Sequence, residues 1–300
     1  MNPPDLTTLR LLVAVCEHQN IARAAEQEHI AASAISKRLA ALEKQVGAPL
    51  LVRGRRGTQP TEAGRALLEH ARTVLFAMER LESDLAAYGG GLKGQVRLLA
   101  TPSAIAESLP DDVAAFMRLP DHRGIKVDIE ERLTADVARA LRDGSASLGV
   151  CWNNVDLQGL DQRPYRRDEL ALAVHPDHPL ARRKRLRFEE TLDHQHVGLP
   201  PSSAVQTMLR QAAARVGRTI DYRVVVSNFD AAFRVVAANL AVGVLPLQLG
   251  RQYAQLWGVR MVSLADAWAK RRFIVCFRDY DALAPAAQNM VDHLVKSAAS

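Results

Sequence analysis

Apolar residues recur along this 300-residue chain with two different periods, and the change comes just past a glycine-rich joint at Gly89 to Gly94. Ahead of the joint, intervals of three and four dominate. Ile35, Leu39, Leu42 and Val46 fall 4, 3 and 4 residues apart, which predicts an amphipathic helix with one inward stripe. Leu6, Leu9, Leu12, Val13 and Cys16 predict the buried stripe of a first helix. Between them, Asn20 is an N-cap signal for a short helix through Ala24 and Ala25, whose small side chains let two helices cross closely. Gly47 ends the second amphipathic helix, Pro49 keeps the chain extended, and Leu50-Leu51-Val52 reads as a short strand. Thr61 is a cap for a long helix. Within that helix Ala71, Val74, Met78, Leu81, Leu85 and Tyr88 follow intervals of 3, 4, 3, 4 and 3, a coiled-coil seam. Docking on the chain's own domain is the alternative for such a stripe. A segment between two domains with no core of its own fits a dimer helix better, with Val74, Met78, Leu81 and Leu85 at the seam. Gly89-Gly90-Gly91 and Gly94 end it in a flexible joint.

Beyond the joint, strands are expected at Val96 to Ala100, Ile125 to Ile129, Ser147 to Trp152, Leu170 to Val174, His196 to Leu199, Tyr222 to Val226, Val242 to Leu245 and Phe273 to Phe277. Helices are expected near Asp111 to Met117, Ala135 to Arg142 (capped by Thr134 and stopped by Gly144), Ala204 to Val216 and Asp230 to Asn239, with a last one ending near Val295. This alternation implies α/β lobes with parallel pairing.

Charge sharpens the reading of the first segment. The net charge of +6 is modest, but between Lys37 and Arg56 six Lys or Arg face the single Glu43. Ser33, Ser36, Lys37, Ala40 and Lys44 occupy the outer face of the second helix. Small and hydroxyl side chains there allow close approach to base edges, while Lys37 and Arg38 supply cations for phosphates or guanine. With Arg53-Gly54-Arg55-Arg56-Gly57 behind it, the pattern reads as a helix-turn-helix followed by a wing. An ordinary helical hairpin with a solvated charged face would account for any one of these features, but not for their combination. The candidate DNA contacts are Ser33, Ser36, Lys37, Arg38, Arg53, Arg55 and Arg56.

Asn20-Ile21, Ala24-Ala25, Ala34-Ile35-Ser36, Leu42-Glu43, Gly47, Pro49-Leu50-Leu51, Arg53, Arg56 and Pro60-Thr61-Glu62-Ala63-Gly64 lie in one register. Through them the segment resembles the DNA-binding domain of LysR-type transcriptional regulators. It departs at Ala31-Ala32-Ser33, where the family often has Ser-Gln-Pro, and at Leu51, where Phe is usual. The resemblance implies an α/β multi-domain chain: a winged helix-turn-helix at 1–60, a linker and dimerisation helix at 61–92, and at 93–300 a two-lobed, periplasmic-binding-protein-like effector domain. Lobe I would comprise 93–163 and 267–300, and lobe II 164–266. It further implies a cytoplasmic homodimer or homotetramer that binds double-stranded promoter DNA, contacts RNA polymerase and responds to a small-molecule effector.

In open α/β sheets a ligand sits off the carboxyl ends of the strands, beside helix N-termini. Thr101, Ser103, Trp152, Ser202, Ser203, Phe229 and Pro246 are the candidate effector contacts. Each hydroxyl reads equally as a helix cap. Hydroxyls with helix N-termini favour a carboxylate, and Trp152 and Phe229 leave room for an aromatic part. No run approaches the length of a membrane span, and Leu11 to Cys16 lacks the flanks of a signal peptide. Three scattered cysteines fit a reducing compartment, with Cys151 an inert strand residue in preference to a redox sensor. His175-Pro176-Asp177-His178 reads as a surface turn and the run Arg182 to Arg185 with Arg187 as a solvated loop face, and no metal or cofactor is expected. No phosphate loop, nucleophile elbow or paired-carboxylate motif nominates an enzyme. A solute-binding transport module is the other alternative, opposed by the basic head.

Overall fold

A computed structural model describes residues 4–54, 57–88, 93–153 and 157–298. The head contains α1 (Leu6–His18), α2 (Ile21–Gln27), α3 (Ala32–Val46) and the hairpin β1 (Leu51–Gly54) and β2 (Gly57–Pro60). Local chemistry sets these boundaries. The Asn20 side chain accepts from the Ala22 and Arg23 amides, and Gly47 closes α3 at φ 77°. Ile35, Leu39 and Leu42 pack with Leu12, Val15, Ala24 and Leu50 in one core. The buried positions of α1 are Thr8, Leu9, Leu11, Leu12, Ala14 and Val15, while Leu6 is exposed. The single stripe expected there is too narrow because α1 packs against α2, α3 and the long helix α4 (Glu62–Tyr88) at once. Thr61 caps α4 by accepting from the Gly64 amide. A Cβ at Gly64 would lie 2.0 Å from the Leu50 carbonyl oxygen, so only glycine lets the wing strand approach the helix there.

Val74, Leu81 and Leu85 on α4 are exposed along the predicted seam, and Met78 is half-buried. Gly89–Gly91 lie outside the described residues.

The second part opens with β3 (Lys93–Ala100), α5 (Pro102–Ala106), α6 (Leu109–Met117), β4 (Gly124–Glu131), α7 (Thr134–Arg142) and β5 (Leu148–Trp152). The long β6 (Asp161–Val174) then leads to β7 (Arg185–Leu186), β8 (His196–Gly198), α8 (Ala204–Arg215), β9 (Tyr222–Val225), α9 (Phe229–Ala237), β10 (Gly243–Pro246), α10 (Leu247–Trp257) and β11 (Arg260–Leu264). Finally β12 (Lys270–Phe277) precedes α11 (Pro285–Ser297). The main sheet runs β4-β3-β5-β12-β6-β11-β7, with β10 also paired to β6.

Uniform parallel pairing does not hold. The β3 strand is parallel to β4 and β5, but β12 is antiparallel to both β5 and β6, and β10 and β11 are antiparallel to β6. The cause is the crossing between lobes. Residues 161–169 of β6 pair with β12 in lobe I, and residues 170–174 continue between β10 and β11 in lobe II. A strand that passes from one lobe to the other and a strand that returns must run in opposite directions.

Candidate functional sites

The outer face of α3 carries the proposed DNA contacts. Ser33 and Lys37 are exposed and Ser36 is half-buried on the same side. Arg38 is turned away from them: its guanidinium lies 3.3 Å from Asp5 and 3.2 Å from the Thr8 hydroxyl, bracing α3 against the start of α1. Glu43, the single acid of the basic segment, is also occupied, since its Oε1 accepts from the Leu50 and Leu51 amides and fixes the wing's base to α3. Arg53 stands on β1, antiparallel to Thr58 of β2. Arg55 and Arg56 lie outside the described residues.

The second site is a narrow cleft of about 30 Å³ between the lobes, with Thr101, Ser103, Thr134, Trp152, Ser203 and Phe229 in its walls. Five of the predicted effector contacts therefore meet. Ser202 and Pro246 do not join them. Ser202 is exposed on the turn before α8, and Pro246 is sealed within β10 opposite Leu170.

The cap-or-cleft ambiguity resolves differently for each hydroxyl. The Ser203 side chain accepts from the Gln206 amide and is a helix cap. Thr101 holds the N-cap position of α5 but makes no cap bond. Thr134, expected as the cap of α7, is instead that helix's first residue, one position beyond the N-cap Leu133. The Thr101 and Thr134 hydroxyls and the Trp152 indole nitrogen are buried with no hydrogen-bond partner. Thr134 is the residue the sequence reading missed, because a threonine before a helical period looks like a cap.

Behind the Trp152 ring stands Arg271, its guanidinium carbon 3.3 Å from the ring centroid. Arg271 and Asp168 are directly opposed on β12 and β6 and form an ion pair in which both side chains are almost fully buried. Glu107, just past α5, is a second acid near the same guanidinium. Burial pushes its carboxyl up to about 7, against the opposing pull of Arg271. Because this folded value exceeds the ordinary 4.5, the folded state holds a proton through that window which the unfolded chain releases. Stability therefore falls as pH rises from about 4.5 to 7. Glu107→Gln is expected to melt above the wild type at pH 8 and to match it near pH 5 in thermal scans; equal melting temperatures at both would contradict this.

Cys151 and Cys276, far apart in the chain, place their sulfurs 3.8 Å apart on one sheet face. Both are fully buried, and the Cys276 thiol is pushed up by its contact with Cys151 and by burial. His175 and His178 instead accept from the Asp177 and Leu180 amides within their own turn.

A winged head, a long helix and a two-lobed α/β domain with an interlobe cleft define a class, and comparison with known proteins identifies it. Residues 6–65 match the model of the bacterial regulatory helix-turn-helix protein, lysR family, and residues 89–299 match the LysR substrate binding domain. The chain belongs to the LysR family and is a DNA-binding transcriptional regulator with an effector-binding domain. Its relatives include YbhD of Escherichia coli K12, described as an uncharacterized HTH-type transcriptional regulator (24% identical, covering 97% of this chain and 91% of that one). Another uncharacterized HTH-type transcriptional regulator, Mb2303c of Mycobacterium bovis, is 31% identical over 83% of this chain and 81% of its own. Among solved structures, a full-length OxyR variant from Pseudomonas aeruginosa superposes with a TM-score of 0.74 (19% identity, covering 98% and 95%). Full-length CbnR with its target DNA superposes at 0.67 (22% identity, 98% and 99%). At these identities the structural likeness concerns the fold.

Proposed function

We propose that this regulator responds to a small carboxylate bound between its lobes, and that the response alters how paired heads hold promoter DNA. The observation that carries the ligand class is the set of three unpartnered buried donors, Thr101 Oγ1, Thr134 Oγ1 and Trp152 Nε1, along one cleft. Leaving such groups without partners costs roughly 1–3 kcal/mol each, and an anion accepts from all of them. Thr134, Ser203 and Phe229 also place the starts of α7, α8 and α9 along the cleft, where helix ends carry partial positive charge. Phe229 and the indole face favour an apolar or aromatic body. At about 30 Å³ the cleft has room for about one water, so a ligand enters only as the lobes part.

The regulator works in the cytoplasm as a dimer or tetramer through the exposed stripe Val74, Leu81 and Leu85, reading two half-sites and contacting RNA polymerase. Among the described residues no helix is long and apolar enough to cross a membrane.

A thermal-shift series with benzoate and shorter carboxylates, each paired with its neutral amide, tests the ligand class. Saturating carboxylate is expected to raise the melting temperature, by about 2–4 °C per kcal/mol of binding linkage, and the amide is not. Thr134→Val is expected to remove most of that rise. Equal shifts from acid and amide, or no shift from any carboxylate, defeat the anion reading.

A further inference from the structure

Helix α7 runs from the cleft to the head. Its first residue, Thr134, lines the cleft, and its nine residues carry the chain about 14 Å to Asp143. There Arg72 of α4 donates to Asp143 at 2.8 Å and also reaches Glu17 of α1 at 3.5 Å. The Arg72 and Asp143 side chains are only 18% and 17% exposed, so solvent screens this pair less than a surface bridge. Asp143 is itself held, because its other carboxylate oxygen accepts from the Ser145 amide. A second bridge repeats the pattern: Arg97 of β3, the strand that leads into Thr101, lies 3.7 Å from Glu17 and 3.2 Å from Glu130.

Packing also joins the two parts here: α4 lies against β3 and α11, and the Arg72-Thr73 backbone lies close against Gly144. Phe76 of α4 packs against the core of the second part. Beside it lies an open cavity of about 520 Å³ walled by Val13, Gln27 and Leu75 on one side and Gln95, Asp128 and Ser147 on the other. Within this junction the ion pairs beside the cavity are the part that releases most readily, because they bury less apolar area than the packed side chains around Phe76.

We propose that Arg72 latches the DNA-binding head to lobe I of its own chain through Asp143 and Glu17, and that α7 transmits opening and closing of the cleft to this latch. The relay rests on the reading of the cleft as the effector site; the latch does not. A ligand that parts the lobes moves the start of α7, and a rigid helix carries that displacement to Asp143. The bound and free states then differ in the strength of the Arg72 contact, the differential interaction that any coupling requires.

The test measures the distance from head to lobe I in the full-length protein. Spin labels at Glu26→Cys and Lys126→Cys are used in a Cys16→Ser background, with labelled chains diluted into unlabelled ones. Arg72→Gln and Asp143→Asn are each expected to shift the distribution to longer distances. The double variant is expected to go no further than either single one, because both remove one interaction. Unchanged distances in both single variants, or fully additive shifts, overturn the latch. For the relay, Thr134→Phe wedges the cleft without any ligand, with Thr134→Met as the milder wedge should Phe prevent folding. It is expected to move the distance in the otherwise unmodified protein and to have no further effect on Arg72→Gln. No movement, or equal movement in both backgrounds, overturns the relay. Carboxylate binding in the thermal-shift series alongside unmoved distances in the Arg72 and Asp143 variants would sink the latch, and the relay with it, but spare the ligand class, whereas displaced distances in those variants with no carboxylate binding would sink the ligand class and spare the latch.

Discussion

Arg271→Met is expected to destabilise the protein by about 3–5 kcal/mol, the cost of leaving one member of a buried ion pair without its partner. The Arg271 and Asp168 side chains are 4% and 0% exposed, so water cannot solvate the carboxylate left behind. Burial pulls the guanidinium pKa down and the nearby Glu107 opposes this; an arginine starts high enough to remain a cation. Glu107, whose own carboxyl rises to about 7, can remain protonated while Asp168 balances the charge. Removing both members gives a different result. Asp168→Leu with Arg271→Met exchanges the pair for apolar groups and is expected to recover most of the loss, because a well-packed replacement forgoes desolvation of both charges. The two single variants and the double variant, compared by urea denaturation, form a closed cycle. An Arg271→Met protein within 1 kcal/mol of the wild type (a threshold of the order of a surface substitution) would mean that the pair is solvated. The pair joins the two strands that cross between lobes, so its loss should also loosen the wall behind Trp152 and weaken carboxylate binding.

How much of this was legible in the sequence depended on whether the deciding interaction was local. Asn20, Gly47 and Thr61 act on backbone groups within three or four residues, and each forms the cap or stop that its residue type signals. The apolar stripe of α3 was equally plain, because its period reflects a single buried face. The first half of β6 carried no such signal. Asp161 to Glu169 is mostly polar and contains Pro164, yet it is a strand because β12 pairs with it and two of its cations, Arg163 and Arg166, have distant partners. Arg166 grips Asp112 through two bonds of 2.8 Å, and Arg163 lies 4.1 Å over the Tyr280 ring and 3.0 Å from Asp292. In the same way Lys270-Arg271-Arg272 looks like a solvated run, and only the β6 pairing reveals that its middle member is buried against Asp168. Cleft membership split along this line too. Thr101, Ser103, Trp152, Ser203 and Phe229 sit at strand ends or helix starts, where topology brings them together. Whether a hydroxyl there is already spent on a cap, as at Ser203, or free, as at Thr134, is a matter of one residue's register.

Lys37→Ala is expected to weaken promoter binding about 10-fold or more, and Arg38→Ala clearly less, although the sequence ranks the two as equal candidates. On α3 the Lys37 side chain is exposed with no partner among the described residues, whereas Arg38 is committed to Asp5 and Thr8. Arg38 must abandon those contacts before it can serve DNA, so its removal costs the head some bracing along with any phosphate contact. Salt dependence separates the possibilities, since each phosphate neutralised contributes about 0.9 to the slope of log affinity against log salt. A dimer that loses Lys37 from both heads should show a slope shallower by about 2, and Arg53→Ala on the wing strand should act in the same direction. Ser36→Ala removes no charge. A fall in affinity with an unchanged slope and altered preference among operator sequences would assign Ser36 to base contact rather than to phosphate. Gel-shift titrations at several salt concentrations, with melting curves to confirm that each head stays folded, provide all of these values. If Lys37→Ala leaves both affinity and slope unchanged while Arg38→Ala lowers them, Arg38 releases Asp5 on binding and α3 enters the groove on a different face.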